Sequence, residues 1–186
     1  TLQPGLCVLG TRLPGCFNVF EMSVRAVLGQ QITVKAASTL AARLVAVYGT
    51  QVQTGIEGLT HSFPAPAAIL ALGENISEHL GKLGIISARA NTIYQLARVL
   101  ADEKNDFGFC GNPEEEMQKL QAIRGIGSWT AQYIAMRAMG WPDAFLPTDA
   151  GIKKALPDHT PKELQVLSEA WRPWRSYATV NLWNTL

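Results

Sequence analysis

The chain is poor in the residues that mark metal, redox and membrane proteins. Its 186 residues include 3 cysteines and 3 histidines. Cys7, Cys16 and Cys110 form no Cys-x-x-Cys pair and no cluster with His61, His79 or His159. That excludes a zinc motif, a disulfide framework and a four-cysteine iron–sulfur loop, and the odd count fits a reducing compartment. No apolar run is long enough to span a bilayer, and no signal peptide is visible. Charge of neither sign dominates: 16 Lys and Arg against 15 Asp and Glu leave a net charge of +1. There is no global field to attract a polyanion, so any such affinity must come from local groups and oriented backbone amides. Alternating strand patterns, internal repeats and low-complexity segments are also missing.

What remains is helical periodicity. At 47% hydrophobic residues the chain can bury a core, as one domain or as two small units sharing a cleft. Residues 1–16 read as an extended lead-in. Residues 17–28 read as a helix with Phe20, Val24, Val27 and Leu28 on one face. A turn at Gly29-Gln30-Gln31 separates it from a helix over about 33–48, with Val34, Ala37, Leu40, Ala41 and Leu44 inward and Gly49 at its C′ position. Residues 50–63 read as a loop. Helices follow over 67–72, opened by Pro66, then 77–83 and 87–101, and residues 102–111 read as a loop. Asn112-Pro113-Glu114-Glu115-Glu116 combines an N-cap, a proline at N1 and first-turn acids. Further helices are expected over 128–139, 149–155, about 161–170 behind Thr160-Pro161, and after Pro173.

The chemistry concentrates in Leu120-Gln-Ala-Ile-Arg-Gly-Ile-Gly-Ser-Trp-Thr-Ala131, followed by Asp149. Gly125 and Gly127 permit backbone angles and close approaches that side chains forbid. Ser128 then opens a helix, whose outward N–H groups make an anion site. Asp149, within Leu146-Pro147-Thr148-Asp149, begins another helical pattern, and its spacing suits either a reactive carboxylate or an N-cap.

These residues resemble the helix-hairpin-helix DNA glycosylases, whose hairpin pattern is followed by an Asp. The resemblance runs through Leu13-Pro14-Gly15-Cys16, Phe20-Glu21, residues 24–30, the hairpin, Phe145-Leu146-Pro147-x-Asp149 and Trp171-Arg-Pro-Trp-Arg-Ser-Tyr-Ala178. Within the superfamily the chain is similar to the alkylbase (3-methyladenine) branch. The resemblance implies an all-α core of two helical units with a cleft between them. Residues 19–141, with the hairpin motif at about 113–139, would form one. Residues 1–18 with 142–186 would form the other and carry Asp149.

It implies base-excision repair by hydrolysis of the N-glycosidic bond of alkylated purines. Asp149 would be the catalytic carboxylate, stabilising positive charge on the deoxyribose and orienting water. Trp129, Tyr133 and Trp183 would form an aromatic pocket for the extruded base, where ring faces attract a cation; an aromatic stripe packing a core is the alternative. Bifunctional relatives place a lysine two residues after the second hairpin glycine. Trp129 stands there, which implies no Schiff base and no strand cleavage. Gln31 would be the wedge that fills the vacated stack, or else an ordinary turn residue. Arg124, Gly125, Gly127, Ser128 and Thr130 would hold phosphates, or form a tight interhelix turn. The carbonyls of Gln121, Ile123 and Ile126 would hold Na or K; no cofactor is required.

Arg172, Arg175, Lys153 and Lys154 are further candidate phosphate contacts. Ala150 stands where the alkylbase branch has an aromatic residue, which leaves oxidised or deaminated purines open as substrates. A non-catalytic DNA-binding module of a larger protein is the other reading. The expected partner is damaged double-stranded DNA, with a monomeric protein in the cytoplasm, at a bacterial nucleoid. The chain opens on Thr1 rather than Met, which reads as processing or as a fragment. The N-terminal β-rich domain of the alkylbase branch is missing from it.

Overall fold

The computed structural model describes residues 7–102 and 112–186. Cys110, most of the expected 102–111 loop and the Pro4-Gly5 part of the lead-in lie outside the described residues. The all-α expectation holds: ten α-helices are accompanied by two very short strands among the described residues. None of these helices is long and apolar enough to cross a membrane.

The described residues divide into two compact units. The first takes in residues 18–102 and 121–126. It holds α1 (Val19–Leu28), α2 (Val34–Tyr48), α3 (Pro66–Leu70), α4 (Ile76–Gly81) and α5 (Ser87–Leu100). Helix α5 packs against α1, α3 and α4, and it buries Ala90, Ile93, Leu96 and Ala97 at the expected period. Helix α1 buries its expected face, Phe20, Val24, Val27 and Leu28. It starts later than expected, because the Asn18 side chain accepts from Glu21 N and caps it there.

Helix α2 corrects two expectations. Val34 is 84% exposed, because it is the first helical residue after the Thr33 cap and only Ala41 and Leu44 are buried along this helix. Gly49 is not left-handed but extended, at φ −71° and ψ 159°. Its glycine is dictated by crowding instead: a Cβ there would sit 2.4 Å from Val45 O and 2.5 Å from Ser62 O. Ser62 belongs to an unexpected antiparallel pair, β1 (Thr50–Gln51) with β2 (His61–Ser62), within the segment read as a loop. Two residues per strand are too few for an alternating pattern to register.

The second unit takes in residues 7–17, 112–120 and 127–186. It holds α6 (Pro113–Gln121) up to Leu120, α7 (Ser128–Ala138), α8 (Ala150–Ala155), α9 (Pro161–Ser168) and α10 (Arg175–Trp183). Grouping α7 with Asp149, rather than with residues 19–126, follows from packing. Met136, Trp129 and Tyr133 of α7 join Ala144, Leu146 and Trp183 in one apolar cluster. A second cluster joins Phe145, Ile152, Leu164 and Leu182. Thr160 and Glu163 close a capping box on α9. The Thr160 N–H, with the Thr160 hydroxyl, holds the Glu163 carboxyl below the usual carboxylate range.

The Trp171–Ala178 motif is a fastener. Arg175 is buried and grips Asp143 twice, Nε to Oδ1 at 2.8 Å and Nη2 to Oδ2 at 3.0 Å. Ser176 N donates to Pro142 O at 2.8 Å, and the Ser176 hydroxyl donates to Trp141 O at 2.7 Å and accepts from Ala144 N at 3.0 Å. The segment leading to Asp149 is thereby tied to the start of α10. This corrects the reading of Arg175 as a phosphate contact, since Arg175 is inside; Arg172 is paired with Asp143 and Glu169. Removing one partner leaves a buried charge unpaired, so Asp143→Ala should destabilise the chain by about 3–5 kcal/mol. Urea denaturation measures this, and a loss below about 1 kcal/mol would contradict the fastening role.

Candidate active site

Asp149 is the N-cap of α8. Its Oδ1 accepts from Gly151 N at 2.8 Å, Ile152 N at 3.1 Å and Trp183 Nε1 at 2.8 Å. Its Oδ2 accepts from Trp129 Nε1 at 3.2 Å. The two readings of Asp149 are thus compatible, because the cap uses Oδ1. Each oxygen of an ionised carboxylate has two accepting lone pairs. Oδ2, with one donor, keeps capacity for an outside group. All four donors are neutral, so they orient the carboxylate without cancelling its charge.

Gly151 was not singled out from the sequence, yet it makes this arrangement possible. A Cβ there would lie 2.7 Å from Trp183 Cδ1, 2.9 Å from Nε1 and 3.0 Å from Asp149 Oδ1. The indole occupies the space that any side chain would need. Its φ is ordinary, so only a close approach demands glycine. Nothing in the local sequence signals an approach from α10, which lies far along the chain.

Trp129 and Tyr133, four residues apart on α7, stack with ring centroids 5.1 Å apart and planes at 7°. At that distance the rings touch each other and leave no room for a third between them. They form one double-thickness wall. Trp183 stands 6.4 Å from Tyr133, tilted by 51°. All three are half-buried, and Ala150 beside Asp149 is exposed. Arg137, also unremarked in the sequence, donates from Nη1 to the Tyr133 hydroxyl at 2.9 Å and from Nε to Pro14 O at 2.6 Å.

The remaining expected residues fall on both sides of the division between units. In the first unit Gln31 is exposed and left-handed, at φ 55°, a conformation strained for a residue with a Cβ. Its turn is braced: the Gln30 side chain donates to Gly125 O at 3.0 Å, and Arg89 donates to Gln30 O. Gly125 has φ +96°, and a Cβ on it would lie 2.0 Å from the Thr92 hydroxyl. That hydroxyl donates to Arg124 O at 3.0 Å. Arg124 and Gln121 are exposed, while Ile123 and Ile126 are buried. In the second unit Gly127 caps α7 at φ −90° and ψ 178°. Nothing lies within 4 Å of where its Cβ would be. Its own packing does not require glycine. Ser128 is exposed, whereas Thr130 is 2% exposed, so the Thr130 hydroxyl is no surface group. Lys153 and Lys154 are exposed on α8.

Residues 24–175 match the model of the HhH-GPD superfamily of base excision DNA repair proteins. The chain belongs to that superfamily. It is 38% identical over 176 residues to DNA-3-methyladenine glycosylase 2 of Escherichia coli (strain K12), which covers 95% of this chain and 61% of that protein. It is 42% identical over 182 residues to a probable bifunctional transcriptional activator/DNA repair enzyme AlkA of Mycobacterium tuberculosis, covering 95% of this chain and 35% of that one. A 3-methyladenine DNA-glycosylase from Archaeoglobus fulgidus shares the fold with a TM-score of 0.76 at 25% identity, over 91% of this chain and 58% of that chain. The chain therefore spans 35% to 61% of the length of these two curated relatives.

The HhH-GPD hairpin raises the matter of a monovalent cation on the carbonyls of Gln121, Ile123 and Ile126. Ile126 N donates to Ile123 O at 3.0 Å and closes the turn. A carbonyl has a second lone pair, and neutral oxygen donors suit a hard alkali cation better than a soft metal. The donor chemistry of these carbonyls suits the ion.

Two substitutions probe this geometry. Gly151→Ala should push the Trp183 indole off Asp149 and cost about 1–3 kcal/mol, as overpacking does. An unmoved Trp183 indole N–H resonance, with an unchanged urea midpoint, would contradict it. Gln31→Gly relieves a left-handed side chain and should raise stability by about 1 kcal/mol, even though it removes the expected wedge. A lowered melting temperature would show that the Gln31 side chain is itself held by the fold.

Proposed function

We propose that this chain is a monofunctional DNA glycosylase that removes alkylated purines, of the 3-methyladenine and 7-methylguanine type, from double-stranded DNA. The observation that carries this reading is the Asp149 carboxylate, fixed by four neutral N–H donors beside an aromatic wall. As the bond from base to deoxyribose breaks, its electron pair leaves with the base and positive charge builds on the sugar. Asp149 Oδ2 faces that charge and takes a proton from the attacking water as its oxygen bonds to the sugar carbon, and that proton then passes to solvent. An N-alkylated purine carries positive charge before cleavage and departs neutral. The electron-rich rings of Trp129 and Trp183 favour it by about 0.5–2 kcal/mol per cation–π contact, with Tyr133 backing Trp129.

Trp129 occupies the position where a lysine would form a Schiff base, so the product is an abasic site with an intact strand. Gln31 fills the vacated stack. Arg124, Ser128 and the amides of Gly125, Gly127, Ser128 and Thr130 hold phosphates. Na or K on Gln121, Ile123 and Ile126 adds positive charge for a phosphate when bound. The residues above perform the hydrolysis without a resident cofactor, and the protein works as a monomer.

The test is release of 7-methylguanine from methylated duplex DNA by the chain and by Asp149→Asn. The variant should bind the duplex normally and lose about 10²–10³-fold in release, the scale of removing one electrostatic stabiliser. Borohydride should trap no covalent DNA complex. Equal release by both proteins would remove Asp149 from the chemistry. Normal binding with no release by either would make the chain a binding module.

A further inference from the structure

The Tyr133 hydroxyl has an unusual set of neighbours. Its oxygen accepts from Arg137 Nη1 at 2.9 Å. The Arg137 carbon Cζ lies 5.6 Å from the Tyr133 ring centroid, and Arg137 Nε is anchored on Pro14 O at 2.6 Å. The ring also stacks on Trp129, whose indole N–H is spent on Asp149, and stands beside the tilted Trp183. A phenol has one hydrogen to give. With its oxygen already accepting from a guanidinium, that hydrogen is polarised and left for another acceptor. Among the described residues the Tyr133 hydroxyl donates to none.

We infer that Tyr133 is a specificity-determining hydrogen-bond donor to the extruded base, and that Arg137 is the positioning residue that orients and polarises it. The inference rests on the glycosylase reading above and concerns the same site. Its physical content lies in the charge of the leaving group. An N-alkylated purine leaves neutral, so a donor on its rim gains little as the bond breaks. A neutral purine such as hypoxanthine leaves with the electron pair as an anion. A fixed donor to its carbonyl or ring nitrogen then strengthens in the transition state, and only that difference accelerates the reaction. The guanidinium acts in the same direction, since a nearby positive charge opposes a cationic base and favours an anionic leaving group.

The experiment measures single-turnover release of hypoxanthine and of 7-methylguanine from matched duplexes by the full chain, Tyr133→Phe, Arg137→Met and Arg137→Lys. Tyr133→Phe keeps the ring and its stack and removes the hydroxyl. The expected result is a fall in the hypoxanthine-to-7-methylguanine rate ratio of at least about 10-fold, towards about 100-fold, the scale of one lost donor. Arg137→Met should lower the ratio in the same sense, with part of it restored by Arg137→Lys. A merely structural role lowers both rates together and leaves the ratio unchanged, which overturns the inference and spares the glycosylase reading. Release of 7-methylguanine without any hypoxanthine release by the unaltered chain also overturns it. Release of neither base overturns the glycosylase reading and this inference with it.

Discussion

The site depends on one constraint: a half-buried carboxylate must be satisfied by neutral donors if it is to keep its charge available. Asp149 meets it with two amides of α8 and two indoles, from α7 and α10. An unmet buried charge is costly, and a cationic partner would have neutralised the group. Tryptophan is suited to the task, because its indole brings a donor and an aromatic face together. Trp129, which helps to hold the carboxylate, thus also builds the wall beside it with Tyr133. The rest of the second unit follows. Gly151 is bare so that Trp183 can approach. The Arg175–Asp143 pair and Ser176 fasten the segment before Asp149 to the helix that carries Trp183.

The first unit shows the same logic in backbone. A left-handed glutamine and a left-handed glycine stand in two turns joined by the Gln30 side chain, and Thr92 fills the space under Gly125. Conformations that cost free energy persist only where the surroundings fix them, and such turns are where proteins place contacts with ligands. Gly127 differs from Gly125. Its own geometry would accept a side chain.

Much of this was legible in the sequence. The helices declared themselves through periodicity and caps: Thr160 and Asp149 both cap as expected. The i, i+4 spacing of Trp129 and Tyr133 puts both rings on one face of α7, where they stack. What was not legible was non-local. The indole bonds to Asp149, the reason for Gly151 and the grip of Arg137 on Tyr133 depend on where one element lies against another. Local patterns carry no trace of that. Arg175 misled for a related reason, since a basic side chain looks solvated until a buried Asp143 is found beside it. The β1–β2 pair was too short for its period to show.

The most direct test of the central claim is a proton–nitrogen spectrum of the five tryptophan indole N–H groups in the chain and in Asp149→Ala. If one carboxylate holds both indoles, the Trp129 and Trp183 resonances move upfield together, while those of Trp141, Trp171 and Trp174 stay in place. If neither moves, the carboxylate is not held by the aromatic residues, and the account of the site built on that hold is wrong.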